Sequence, residues 1–262
     1  MVITPEVFML AILGRDLHKS FRTGSVQTPI LRGVGLGIAR GETVFLVGPS
    51  GSGKTTLLSI IGCLLSADEG TVEILGQNVS RMNTNQLTAF RRQHLAFVFQ
   101  TFNLFPTLSA LDNVRLTLCM RGTSLTEASA RALDLLGQVN LSQRVHSKPA
   151  QLSSGECQRV AVARALAVDP DIVFADEPTA ALDAENGQVV LQLLTDLVKQ
   201  HRKTLVVVTH DERIFPFADR ILRLENGRLT QAFATEAEKH ALALSSMDRR
   251  LGRRRQMPLS IN

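Results

Sequence analysis

Thr43-Val44-Phe45-Leu46-Val47-Gly48-Pro49-Ser50-Gly51-Ser52-Gly53-Lys54-Thr55-Thr56 decides the fold. Residues 43–48 form a short apolar run closed by glycine, which predicts a buried strand. Residues 54–65 carry a helical pattern. Between them Gly48 to Thr55 fits G-x-x-x-x-G-K-[ST] in strand–loop–helix context. A chance Gly/Ser-rich turn would lack that context. The glycines let the backbone wrap an anion without Cβ clashes. Successive N–H groups then form an anion nest. Lys54 suits the β- and γ-phosphates of a nucleotide, and the Thr55 hydroxyl suits Mg²⁺.

Outward from this loop, helical and strand patterns alternate, which predicts a layered α/β fold. Residues 172–175 and 205–208 are two more β-rich runs, each ending in polar residues. Open α/β sheets place ligands just past such strand ends. Residues 10–21 and 70–75 read as strands of a flanking antiparallel sheet. The apolar stretch 7–13 is too short for a membrane span and reads as an edge strand. Between 101 and 153 the β signal disappears, and 110–121 and 127–137 read as helices. A helical subdomain inserted at about 101–155 is expected. The strand signal ends after Leu229. The expected organisation is one domain over 1–231 and a basic tail over 232–262, without internal repeats.

The run at 172–175 ends in Asp176-Glu177. Asp176 suits a Mg²⁺ ion, held through water. Glu177 faces differently and is free to polarise an attacking water. Alone, the pair would read as a solvated acidic loop; beside the phosphate loop it reads as catalytic.

Gln151-Leu152-Ser153-Ser154-Gly155-Glu156-Cys157-Gln158-Arg159 is a second anion-ready element. Its Ser-Ser-Gly turn opens a helical run over 156–167. A helix start directs unpaired N–H groups and a positive dipole end to one spot. Two such half-sites in one chain suggest that each copy covers the phosphate held by another.

Composition narrows the class. Of 262 residues, 44% are hydrophobic and 20% charged, as in ordinary globular proteins. The tail contributes +3 of the formal +5 charge, so the body is nearly neutral and no nucleic-acid-binding face is indicated. Trp and Tyr are absent. The spacing of Cys63, Cys119 and Cys157 predicts neither disulfides nor a metal site, but three small apolar fillers in a reducing cytosol. A soluble chain is expected, with any membrane role supplied by a partner.

With these residues in place, the chain resembles the ATP-binding subunits of ABC transporters over residues 10–229. Ser153-Ser154-Gly155-Glu156 resembles the family's signature, usually Leu-Ser-Gly-Gly-Gln. Gln100 stands where the family has its Q-loop glutamine, and Ala181-Leu182-Asp183 resembles the D-loop. His210, after Val206-Val207-Val208-Thr209, resembles the switch histidine. Phe21 stands where an aromatic stacks on adenine. The resemblance implies a P-loop NTPase (RecA-like) core with a flanking antiparallel β subdomain and the inserted helical subdomain.

It also implies ATP and Mg²⁺ as ligands and ATP hydrolysis as the activity. The implied catalytic set is Glu177, His210, Gln100 and Lys54. The nucleotide set is Phe21, Gly48, Pro49, Ser50, Gly51, Ser52, Gly53, Lys54, Thr55, Thr56, Ser153, Ser154, Gly155, Glu156 and Asp183, and the metal set is Thr55, Gln100 and Asp176. The implied partners are a second copy in a head-to-tail homodimer, an integral membrane permease and, through it, a periplasmic adaptor. The implied location is peripheral, on the cytoplasmic face of the inner membrane.

Two departures stand out. Ser154 replaces the usual Gly, where its side chain either crowds the nucleotide or donates a hydroxyl. Glu156 replaces Gln; an acid facing phosphate would repel it, so Glu156 is expected to point away and cap backbone.

Gly62-Cys63-Leu64, Arg91-Arg92 and Asn103-Leu104-Phe105-Pro106 resemble the group serving lipoprotein release and macrolide or peptide export; glycolipid export systems with a related ATPase are the alternative. Phe102, Leu104 and Phe105 read either as an exposed seat for a permease helix or as local packing. The tail arginines 249, 250, 253, 254 and 255 read either as a solvated end or as a weak attraction to anionic lipid. A non-transport ABC ATPase acting on ribosomes or DNA is the alternative within the family. Its members usually pair two domains or insert long coiled coils, and neither is present here. A P-loop kinase would leave Ser153-Ser154-Gly155 and His210 unexplained.

Overall fold

The computed structural model describes residues 10–233. Two sheets organise them. In the first, β1 (Leu10–Thr23), β2 (Val26–Ala39), β4 (Glu69–Ile74) and β5 (Gln77–Asn78) pair antiparallel in the order β2-β1-β4-β5. The second holds β3 (Thr43–Val47), β6 (Leu95–Phe99), β7 (Ile172–Asp176), β8 (Thr204–Val208), β9 (Arg220–Glu225) and β10 (Arg228–Phe233). Its order is β10-β9-β3-β8-β7-β6, parallel from β9 to β6 with β10 antiparallel on the edge.

Every residue of β3 and of β8 is buried. Unbroken apolar runs are what strands need when helices cover both faces. Side-chain alternation divides the core in two. Phe45, Val47, Ala175 and Val207 face a cluster shared with α3 (Ala110–Cys119), α4 (Leu125–Gln138), α5 (Ser154–Ala167) and α6 (Ala184–Gln200). Val44, Leu46, Phe174 and Val206 face the cluster of α1 (Lys54–Ile61) and the antiparallel sheet, edged by Phe90 of α2 (Thr84–His94). The helical insert therefore packs on the sheet through one continuous core.

Several expectations are corrected. Residues 10–13 lie in β1, which is paired on both sides and so is no edge strand; 7–9 lie outside the described residues. Helix α1 stops at Ile61, because Gly62 ends it and Cys63 turns left-handed at φ 58°. A Cβ at Gly62 would stand 2.8 Å from the Phe97 ring, so the chain passes close there. Strand β10 continues past Leu229 and past the expected boundary at 231, to Phe233. Leu104 packs against the first core cluster, and only Phe105 of the three apolar residues is exposed. The readings of the tail beyond 233 fall outside the described residues. All three cysteines are free, and burial pushes the Cys63 thiol up to about 11. No helix among the described residues is long and apolar enough to cross a membrane.

Candidate functional site

Register brings the chemistry together. Phe99 pairs with Asp176, and Asp176 with Val208, across β6, β7 and β8. The next residues of each strand, including Gln100, Glu177 and Thr209-His210, thus leave the sheet along one edge. The loop after β3 opens at the same edge, since β3 runs parallel to β8.

The loop needs its glycines. Gly48 lies at φ 151°, and a Cβ there would meet the Leu224 carbonyl oxygen at 2.1 Å. Gly53, at φ 103°, caps α1; a Cβ there would press on Leu31 at 3.0 Å and Ile30 at 3.1 Å. Lys54 Nζ folds back and donates to the Gly48 and Pro49 carbonyl oxygens, each at 2.9 Å. Burial holds its amine below the ordinary lysine range, while Glu177 and Asp176 pull the other way.

Thr55 Oγ1 donates to Asp176 Oδ1 at 3.3 Å. Burial raises the Asp176 carboxyl; the Thr55 hydrogen bond opposes this and the Glu177 charge adds to it. A half-buried carboxylate beside a hydroxyl is a hard-oxygen donor pair that fits Mg²⁺.

Glu177 turns out of β7 with φ 48°, fixed by its N–H donating to the Val208 carbonyl at 2.9 Å. Its Oε2 lies 2.8 Å from His210 Nδ1. The glutamate is mostly sheltered and the histidine largely exposed.

The signature turn is built separately. Ser153 caps α5 reciprocally: Glu156 N–H donates to Ser153 Oγ at 3.2 Å, and Ser153 N–H to Glu156 Oε2 at 2.8 Å. Arg144 Nε donates to Glu156 Oε1 at 3.2 Å. These contacts, led by the Ser153 N–H, hold the Glu156 carboxyl below the usual range. The acid is thereby committed to the cap, while the first-turn amides of Ser154 and Gly155 stay unpaired within the helix. A Cβ on the buried Gly155 would touch Asn186 Oδ1 at 3.4 Å. Asn186 in turn donates to both carboxylate oxygens of Asp183, the α6 cap. The starts of α5 and α6 are therefore neighbours.

Lys54, Thr55, Asp176, Glu177 and His210 thus converge, with Gln100 exposed beside them. Ser153, Ser154, Gly155, Glu156 and Asp183 gather elsewhere. Among the described residues no hydrogen bond or ion pair joins residues 153–156 to the loop at 48–56. Phe21 stands half-exposed on β1, with Lys19 Nζ 5.8 Å from its ring centre.

Three residues escaped the sequence reading. Arg144 neutralises Glu156; Gln158 and Arg164 reach from α5 into neighbouring turns. Their signal was faint, since polar side chains on a helix usually face water. Only the small apolar neighbours of Gln158 and Arg164 hint that α5 is buried.

A family model described as ABC transporter matches residues 31–180. The lipoprotein-releasing system ATP-binding protein LolD of Bacteroides fragilis is 46% identical over 213 residues, which cover 81% of this chain and 97% of that one. The macrolide export ATP-binding/permease protein MacB of Hyphomonas neptunium is 39% identical over 247 residues, covering 92% of this chain and 38% of that one. A solved dimeric ATP-binding cassette in a post-hydrolysis state, bound to ADP and Pi, is 42% identical with a TM-score of 0.79, covering 85% of this chain and 98% of that one.

Proposed function

This chain belongs to the ABC transporter family, and from that premise we propose that two copies close head to tail around two ATP molecules to drive a separate membrane subunit. The chain is an ATP-binding subunit of that family and an ATPase. The head-to-tail reading rests on one observation. A single copy holds a phosphate loop with its acid–histidine pair, and elsewhere a helix start with unpaired amides.

In this reading the amides of residues 51–56 and Lys54 hold the phosphates of one nucleotide. Lys54 exchanges the Gly48 and Pro49 carbonyls for phosphate oxygens. Thr55 and Asp176, with Gln100 beside them, would hold Mg²⁺, which supplies charge neutralisation to the phosphates when bound. Phe21 offers its exposed ring to adenine. Ser153, Ser154 and Gly155 of the second copy close over the γ-phosphate, and Asp183 lies at the same joint. Glu177 orients and deprotonates the attacking water, held in place by His210. ATP then favours closure by contacts that ADP does not make.

The relatives named for lipoprotein release and macrolide export support a lipophilic or peptide-like cargo, and the exposed Phe105 is a seat for a permease helix. We place the subunit at the cytoplasmic face of the inner membrane, in contact with a periplasmic adaptor only through the permease. Cell fractionation tests this: the chain should sediment with membranes when the permease is co-expressed and stay in the supernatant without it. Sedimentation with ribosomes instead would overturn the transport reading.

A further inference from the structure

Helix α5 does more than present the signature turn. Little more than one helical turn beyond Ser153, Gln158 is fully buried and donates from Nε2 to the Pro178 carbonyl oxygen at 2.8 Å. Pro178 follows Glu177 directly. Backbone bonds also hold the turn that carries Glu177, from Glu177 N–H to Val208 O, Ala180 N–H to Glu177 O and Leu182 N–H to Thr179 O, and His210 holds the Glu177 carboxylate. Gln158 is therefore a side-chain tether running from the signature helix to the catalytic turn.

The tether costs something. Gln158 Oε1 is buried without a partner among the described residues. An orphaned buried acceptor is unfavourable, and a methionine of similar length would avoid it. A purely structural position in this apolar helix would favour the apolar side chain. The one bond that the amide does make runs to the turn behind Glu177.

We propose that Gln158 is a positioning residue that couples the two ATP sites of the closed dimer. The inference rests on the head-to-tail reading. In that arrangement Ser153–Gly155 of a copy contacts one nucleotide, while Glu177 of the same copy serves the other. Seating the signature turn shifts α5, and Gln158 carries the shift to Pro178 and so to the Glu177 carboxylate. Each site then fires only when its neighbour is closed.

The test compares Gln158→Met and Gln158→Asn with the parent chain. The first keeps length but loses the donor, and the second keeps the amide but falls short of Pro178. Three quantities are read: ATPase rate against ATP concentration, ATP-driven dimerisation in a Glu177→Gln background, and Tm. Both variants should lose about tenfold in kcat, and the Hill coefficient should fall from near two, the number of sites, towards one. Dimerisation and monomer ATP affinity should stay within about twofold of the parent. An unchanged Hill coefficient overturns the proposal. So does a loss of Tm and dimerisation in both variants together, which would make Gln158 structural. If the parent chain neither dimerises nor hydrolyses cooperatively, the shared-site reading itself has failed, and that outcome is visible without either variant.

Discussion

His210 Nδ1 and Glu177 Oε2 stand 2.8 Å apart at the ends of two neighbouring parallel strands, with Glu177 sheltered and His210 exposed. The register that pairs Asp176 with Val208 sets this distance, so the sheet itself aligns the pair. A sheltered carboxylate held by an imidazole is oriented before any water arrives.

Replacing Glu177 by Gln should lower kcat by at least about a hundredfold, the usual contribution of a positioned base. ATP binding should persist. Phosphate release measured beside nucleotide retention checks this; hydrolysis at the parent rate would remove Glu177 from the mechanism.

Replacing His210 by Ala removes the carboxylate's partner but leaves the loop intact. We expect kcat to fall by about a hundredfold, with monomer ATP affinity within about twofold of the parent. A matching loss of affinity in a nucleotide-binding titration would mean that the exposed ring acts in binding rather than in alignment.

Asp176 carries a pH prediction. Its carboxyl is raised in the folded chain, so the native state holds a proton that the unfolded chain releases. Stability from this group is therefore lost as pH rises above the unfolded value, about 3.9 for Asp. Asp176→Asn should raise the Tm of the nucleotide-free protein at neutral pH, and the gain should vanish below about pH 4, where the acid is neutral in both states. Magnesium-dependent hydrolysis should be lost. Melting curves across pH decide it; a lower Tm at neutral pH would contradict the burial argument.

Gly48→Ala places a methyl group 2.1 Å from the Leu224 carbonyl oxygen and at a φ of 151°. Both backbone and neighbour must shift, at a cost of about 3 kcal/mol. A fall in Tm of several degrees with loss of ATP binding is expected; a parent-like melting curve would show that the loop relaxes freely.

Much of this was legible in the sequence. Strands β3, β7 and β8 read clearly because burial on both faces demands continuous apolar runs. Lys54, Asp176 and Glu177 follow directly from the ends of those strands and His210 from the family resemblance, so their convergence needed only a parallel sheet. Strand β2 was hidden by Pro29 and by Gly33, Gly35 and Gly37, residues that usually interrupt a strand. Helix α6 opens with polar residues and Gly187, so its buried face at Val190, Leu191, Leu194 and Val198 starts late. The Gln158–Pro178 bond was out of reach, because it depends on how α5 lies against the turn after β7. Glu156 was the reverse case: repulsion from phosphate was enough to send it back to the cap, where Ser153 and Arg144 hold it.

We propose that one ATP site is made from two copies. Sedimentation equilibrium of the Glu177→Gln chain tests it most directly, with a second sample carrying Ser153→Arg as well. With ATP the first should double from the 28.7 kDa monomer, and with ADP it should remain monomeric. The double variant should stay monomeric while still binding ATP. A monomer in ATP for the first sample, or an ATP dimer that tolerates arginine at 153, would rule out a site shared between copies.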